Sequence, residues 1–334
     1  MKTIIQVDTL RYFCNENESS SPKSPLPNHL NENRKYLENS KSNFPFLNLN
    51  VDVVESPESG LQDSNDFKTL LNHIHSKKWP KDENPEFVMD SKILTNVAVG
   101  DSESRIRIFR KSGTTFAWIE ENQKYEDGEQ KKFEKIFKNF FVGHSEDSEG
   151  VRALFQAKIP LGNGQFVRVM YSGKVDGIDE AHRHLQFNVI RFATSTFDFW
   201  KEKSHLFFWD SVFGNVPMLV IGTRTGTGEE DPKTWEPLCY PELSIYKIEK
   251  LSIEEIPSLT EKFAKKPRST FSQWFIVDGE KRLQEFFRFL KTTVIQDDEV
   301  FNISKTQDLS GWKIEKSEKN ENEIEYFDKI NQFF

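Results

Sequence analysis

The 334-residue sequence has no run of eighteen apolar residues, so no membrane-spanning helix is expected. Its N-terminus, Met1-Lys2-Thr3-Ile4-Ile5-Gln6-Val7-Asp8, turns polar too soon for a secretory signal. Cysteine is scarce. Cys14 and Cys239 give neither a disulfide framework nor a metal-binding spacing, which suits a reducing compartment, the cytoplasm or the nucleus. An excess of basic charge is also lacking: the net charge of −8 argues against a general nucleic-acid coat but leaves room for a local basic channel. Nucleophile patterns of the Ser-His-Asp or Cys-His kind are absent. Gly222-Thr223-Arg224-Thr225-Gly226-Thr227-Gly228 lacks the Gly-Lys-Ser/Thr ending and the helix of a phosphate loop, so it reads as a turn. His182 and His184 share a face if extended, but no third ligand accompanies them. No internal repeat is visible.

What the chain does have is bulk. Thirty Phe and seven Trp supply core material for one large domain. Residues 15–43, rich in Asn, Ser, Glu, Lys and Pro, read as an irregular or mobile segment. Phe44–Asn50 suggests a short edge strand, and Asp66–Ile74 a helix with Asp66 as its cap. Arg105–Arg110 and Thr115–Ile119 alternate around Ser112-Gly113 and predict a hairpin. Phe recurs at helical intervals over Lys131–Phe141. Strands are expected around 151–159, 165–176, 187–193, 217–222 and 243–251, and helices over 197–213 and 274–294. Residues 314–334 read as a charged, frayed tail. Strands and helices interleave without a clean βαβ repeat, which predicts an α+β fold. The whole of 1–334 would form a single compact domain with two mixed β-sheets flanked by helices.

The most informative stretch is Ser172-Gly173-Lys174-Val175-Asp176-Gly177-Ile178-Asp179. If the strand before it continues, Lys174 and Asp176 share a face. Acid-x-acid there would hold a divalent cation, whereas Lys-x-Asp puts an ammonium where the ion would sit. The stretch is similar to the Ser-Gly-Glu-Val-Asp-Cys-x-Asp of the DXO family of decapping exoribonucleases. Further pieces resemble that family in the same order, over about residues 88–306. Ile93-Leu94-Thr95 resembles the strand after its first motif. Phe207–Pro217 resembles its aromatic helix, and Gly222-Thr223-Arg224 its Gly-Phe-Arg. Arg288–Asp298 resembles its last helix and the Val-Gln-Asp-Asp turn that follows.

This resemblance implies the family's chemistry. Its members remove incomplete or nonstandard 5′ caps from RNA, and many then degrade the body 5′ to 3′. Carboxylates on a sheet floor hold magnesium or manganese, which activates water and stabilises phosphoryl charge. Carried over residue by residue, much of that machinery is changed. The motif Arg falls at Ser91, with Lys92 beside it as a point-charge substitute or a solvated neighbour. Glu134, ending Lys131-Lys132-Phe133-Glu134, matches the Glu of Gly-Tyr-Lys-Phe-Glu, or is an exposed Glu on a Lys-rich helix. Asp176 is kept, and Lys174 reverses its partner's charge. The next strand's Glu-x-Lys falls within Phe187–Phe192, where no acid occurs. Arg191 there stands for the Lys and touches a phosphate, or faces outward. The Gln of the aromatic helix is Asp210. Asp210 would repel a phosphate, replace a lost metal ligand, or pair with Lys174.

A like charge near a bound ion costs roughly 4 kcal/mol per unit pair at about 4 Å and an effective dielectric of about 20. Magnesium or manganese would therefore be held weakly or not at all. Three readings follow. The first is a pseudoenzyme or strongly impaired nuclease that binds RNA 5′ ends or nucleotides through Lys92, Lys174 and Arg191. The second is an active enzyme with a metal site rebuilt from Glu134, Asp176 and Asp210. The third is a protein-interaction module whose pocket is filled by Lys174, Asp176 and Asp210 paired together. Basic runs at Lys131, Lys132, Lys135 and Lys138, and at Lys265, Lys266 and Arg268, either track RNA or are solvated faces.

Overall fold

The computed structural model describes residues 3–14, 26–38, 45, 47–49, 66–76, 85–101, 105–120, 128–142, 151–191, 199–224, 244–265, 273–306, 311–318 and 323–333. Among these, two mixed sheets carry the fold. The larger runs in the order β1 (Gln6–Phe13), β6 (Arg152–Gly162), β7 (Gln165–Lys174), β3 (Phe87–Met89), β5 (Thr114–Ile119), β4 (Ile106–Lys111), β12 (Val300–Lys305), β13 (Trp312–Ser317). The smaller runs β2 (Leu47–Asn48), β11 (Ser244–Ser252), β10 (Met218–Arg224), β9 (His184–Arg191), β8 (Gly177–Ile178). Parallel pairs occur where β3 meets β5 and β7, and where β9 meets β10; the other pairs are antiparallel.

The helices are α1 (Lys35–Glu38), α2 (Asp66–Ser76), α3 (Ser91–Val99), α4 (Gly128–Val142), α5 (Ser204–Phe213), α6 (Ile256–Ala264), α7 (Ile276–Thr293) and α8 (Ile324–Phe333). Strand alternation sorts the core into layers. Phe155 and Ala157 of β6 and Val169 and Tyr171 of β7 share one cluster with Leu219 and Ile221 of β10 and with α3, α5 and α7. Leu154 and Met170, on the other face of β6 and β7, pack against α2 and α8. Leu185, Phe187 and Val189 of β9 pack against Phe133, Phe137 and Phe141 of α4. The expected two-sheet, helix-flanked architecture is the one found, and the 112–113 hairpin joins β4 to β5.

Three segments depart from expectation. Ile93-Leu94-Thr95 is helix, not strand. The Asp90 side chain accepts from the Lys92 N–H at the N-terminus of α3, and Gly100, at φ +84°, closes its C-terminus. Three apolar residues are too few to show a period, so the cap decided. Residues 314–334 are not a frayed tail. They hold most of β13, and then α8, which buries Tyr326, Phe327 and Ile330. Each such side chain contributes about 1.5–3 kcal/mol, enough to order a helix too short to persist alone. Within 15–43, residues 26–38 are pinned rather than irregular. Asn31 and Asn33 both donate to the Phe140 carbonyl, and His29 bridges Ile178. Residues 15–25 and 39–43 lie outside the described set.

Candidate functional site

The site forms where the chain leaves one sheet for the other. β7 ends at Lys174, Val175 and Asp176 make the crossing, and Gly177 opens β8. Close packing limits the residues allowed here. A Cβ on Gly173 would lie 3.2 Å from the Phe155 ring, and one on Gly177 would lie 2.6 Å from Val142 Cγ1. Asp179 then closes the turn into β9. Its Oδ1 accepts from the Ala181 and Arg183 N–H groups at 2.9 Å each, and its Oδ2 from Arg183 Nε at 2.8 Å. Arg183 thereby holds the Asp179 carboxyl below its usual range, against the opposing effect of burial. Asp179 thus has a structural role in this turn. Strand alternation does not relate Lys174 to Asp176, because the strand has ended. The crossing itself turns both toward one cleft.

That cleft measures about 210 Å³. Ser91, Lys92 and Thr95 line it from the first turns of α3, Asp210 and Phe213 from α5, Lys174 and Asp176 from the crossing, and His184, Leu185 and Gln186 from β9. Phe155, Tyr171 and Val216 supply apolar wall. Asp210 Oδ1 accepts from Thr95 Oγ1 at 2.7 Å. Burial pushes the Asp210 carboxyl up to about 6, while the Thr95 bond and the Lys92 charge pull the other way. Asp176 Oδ2 accepts from the Phe187 N–H at 3.0 Å. Gln186 Oε1 accepts from Ser211 Oγ at 3.2 Å.

His184 is 3% exposed and bridges two walls. Its Nδ1 lies 2.9 Å from the Gly214 carbonyl oxygen, which only accepts, so Nδ1 carries the proton. Nε2, 2.8 Å from the Tyr12 hydroxyl, therefore accepts from it. Burial holds the imidazole below its usual pKa, which keeps it neutral.

Four of the six residues singled out from sequence meet here: Lys92, Lys174, Asp176 and Asp210. Glu134 is not among the described residues that line the cleft, and the Arg191 side chain lies outside the described set. Glu134 sits on α4, whose Phe133, Phe137 and Phe141 pack on the outer face of the smaller sheet. Arg191 ends β9, level with Arg224 of β10 and five residues beyond Gln186, roughly 16 Å along the strand. A site rebuilt from Glu134, Asp176 and Asp210 is thus not assembled. A cleft lies beside Lys174, Asp176 and Asp210. His182 has φ +58° in a turn, so the two His do not share an extended face. Of the basic runs, the first lies along α4, away from the cleft, while Lys266 and Arg268 fall outside the described residues.

Sequence reasoning missed Thr95, His184 and Gln186. β9 enters the cleft at its start, not in the Phe187–Phe192 window. Gln186 is an uncharged amide and carries no charge signal in the sequence.

The donors do not suit a divalent ion. Among the described residues, no three His, Cys, Asp or Glu side chains come together as a metal site. The cleft offers two carboxylates, each with one oxygen engaged, against two ammonium groups. Magnesium keeps several waters and is held through one or two carboxylates whose charge offsets its own, an offset that the two ammonium groups oppose here.

No protein-family model and no curated protein matches the sequence. The fold is similar to that of solved Rai1 and Dxo1 structures. Three of these are Rai1 from Candida albicans, Rai1 from Scheffersomyces stipitis and Dxo1 from K. lactis. Candida albicans Rai1, solved in complex with pU5 and Mn2+, superposes with a TM-score of 0.64 at 12% identity, covering 95% of this chain and 91% of that one. For Scheffersomyces stipitis Rai1 the values are 0.66 and 12%, covering 97% and 90%. For K. lactis Dxo1 in complex with manganese they are 0.63 and 12%, covering 93% and 90%. At this identity the shared property is the fold. No described helix is long and apolar enough to cross a membrane.

Proposed function

We propose that this chain is a DXO-like protein of RNA 5′-end metabolism that binds an RNA 5′ end or a nucleotide in the cleft and lacks efficient metal-dependent hydrolysis. It would act in the cytoplasm or the nucleus. The observation that carries the reading is the pairing of Lys92 and Lys174 with only two carboxylates, Asp176 and Asp210, in one open cleft of this fold. Solved structures with the same fold hold pU5, 3′-NADP+ and 3′-FADP, which gives the ligand class its support. Lysine ammonium groups recognise phosphate as point charges. Among the described residues, no third acid joins Asp176 and Asp210 as a metal site.

The test is turnover with magnesium and with manganese on 5′-triphosphate, nonstandard-capped and 5′-monophosphate RNA, alongside Asp176→Ala and a binding titration. Binding without turnover above the variant is expected. Turnover that the variant abolishes would establish an active enzyme, and absence of both would remove the RNA reading.

A further inference from the structure

We infer that the cleft holds a terminal phosphate group directly between Lys92 and Lys174, with no divalent cation bridging protein and ligand and with the nucleobase left outside. The inference rests on the function proposed above and makes it more specific.

Three observations converge. The first is the direction in which the cleft's acids are committed. Asp176 accepts from the Phe187 backbone, and Asp210 accepts from Thr95. Both carboxylates therefore spend an oxygen on the frame that joins β9, the crossing, α3 and α5. Burial also makes Asp210 a weaker acid than usual, reducing its repulsion of an anion at mildly acid pH. A hard cation entering here would find few oxygens still to take up and two positive charges nearby. A phosphate would find two charge-assisted donors.

The second is where the cations start. Lys174 is exposed at the end of β7, and Lys92 is exposed in the first turn of α3, on a different wall. Each carries its ammonium on a flexible four-carbon stem, so the pair can close on a compact group between the walls. The Ser91 hydroxyl lines the same end and adds a donor of ordinary strength.

The third is size. About 210 Å³ is below the roughly 300–1,000 Å³ of pockets that enclose whole small ligands. Tyr171 is fully buried with its hydroxyl tied to the Phe213 carbonyl at 2.8 Å, and Phe155 is fully buried. Neither offers a free ring face to a base. The cleft accommodates a phosphate and part of its ribose, and recognition should be indifferent to the base.

The experiment is fluorescence anisotropy on one RNA oligomer carrying either a 5′-phosphate or a 5′-hydroxyl, in EDTA and then in manganese. Ribose 5-phosphate and nucleoside 5′-monophosphates serve as competitors. The 5′-phosphate form should bind about tenfold more tightly in EDTA, the loss expected when charge-assisted bonds are removed. Manganese should change neither affinity appreciably, and ribose 5-phosphate should compete as well as the nucleotides. Lys174→Glu and Lys92→Gln, each checked for native circular dichroism, should erase the preference for the phosphate. Binding that appears only with manganese would overturn the inference while leaving RNA 5′-end binding intact. So would competition by nucleotides but not by ribose 5-phosphate, or an unchanged preference in both variants. Absence of RNA and nucleotide binding under every condition would overturn the proposed function with it.

Discussion

Two of the clusters in which basic and acidic side chains meet among the described residues are built to opposite ends. At the first, Arg107 of β4 is 1% exposed and uses every N–H of its guanidinium. Nε donates to Glu323 Oε1 at 2.9 Å. Nη1 donates to Asn302 Oδ1 at 2.8 Å and to Ser317 Oγ at 2.7 Å. Nη2 donates to the Glu318 carbonyl at 2.9 Å and to Glu323 Oε2. Trp118 Nε1 adds a bond to Glu323 Oε1 at 2.9 Å. This cluster is closed, and it ties the C-terminal residues to the larger sheet. At the second, Lys92, Lys174, Asp176 and Asp210 surround an open cleft. A charge buried with all its bonds made is a structural device, whereas charges gathered around open space are available to a ligand.

That contrast can be broken by mutation, and the largest effect belongs to the closed cluster. Arg107→Ala leaves Glu323 buried without its guanidinium and should cost about 3–5 kcal/mol in urea unfolding. Replacing both partners, Arg107→Met with Glu323→Leu, should recover much of that loss. A single-variant cost below about 1 kcal/mol would show that water reaches the pair. At the open cluster the balance reverses. Lys174→Glu should leave unfolding within about 0.5 kcal/mol of wild type, as for most exposed residues. It should weaken binding of 5′-phosphorylated RNA about tenfold, and equal affinity in a titration would separate Lys174 from the ligand.

Asp210→Asn sharpens the comparison through pH. The folded carboxyl titrates near 6, above the ordinary 3.8, so the native state takes up this proton before the unfolded chain does. Its contribution to stability is greatest below about pH 4 and declines as pH rises through about 6. Asn carries no such penalty and still accepts from Thr95. The melting temperature of the variant should gain on wild type between pH 4 and pH 7, and parallel curves would refute the assignment. The smallest effect is expected at neither cluster. Lys291 pairs with Glu86 at 2.8 Å with both side chains exposed, and Lys291→Ala should cost less than about 1 kcal/mol.

Legibility in the sequence followed the same division. Strand alternation and the Phe period at 131–141 read out most of the two sheets and α4, because one-sided burial writes a period into the chain. The Ser172–Asp179 stretch located the crossing, because close packing at Gly173 and Gly177 and the turn bonds of Asp179 restrict what those positions accept. The C-terminal helix was missed: its charged surroundings hid three buried residues and the acid that pairs with Arg107. Glu134 was carried over from a motif resemblance, and a motif match along the chain does not say which side of a sheet a helix will cover.

The sequence by itself determined the class of fold and the spacing of the Lys174 ammonium and the Asp176 carboxylate, since both depend on residue types at short separations. Only the tertiary structure decided which charged groups share a cleft. Lys92, Lys174, Asp176 and Asp210 come from α3, the end of β7, the sheet crossing and α5. Their meeting depends on how the two sheets and their helices pack, and a ligand responds to distance in space rather than along the chain.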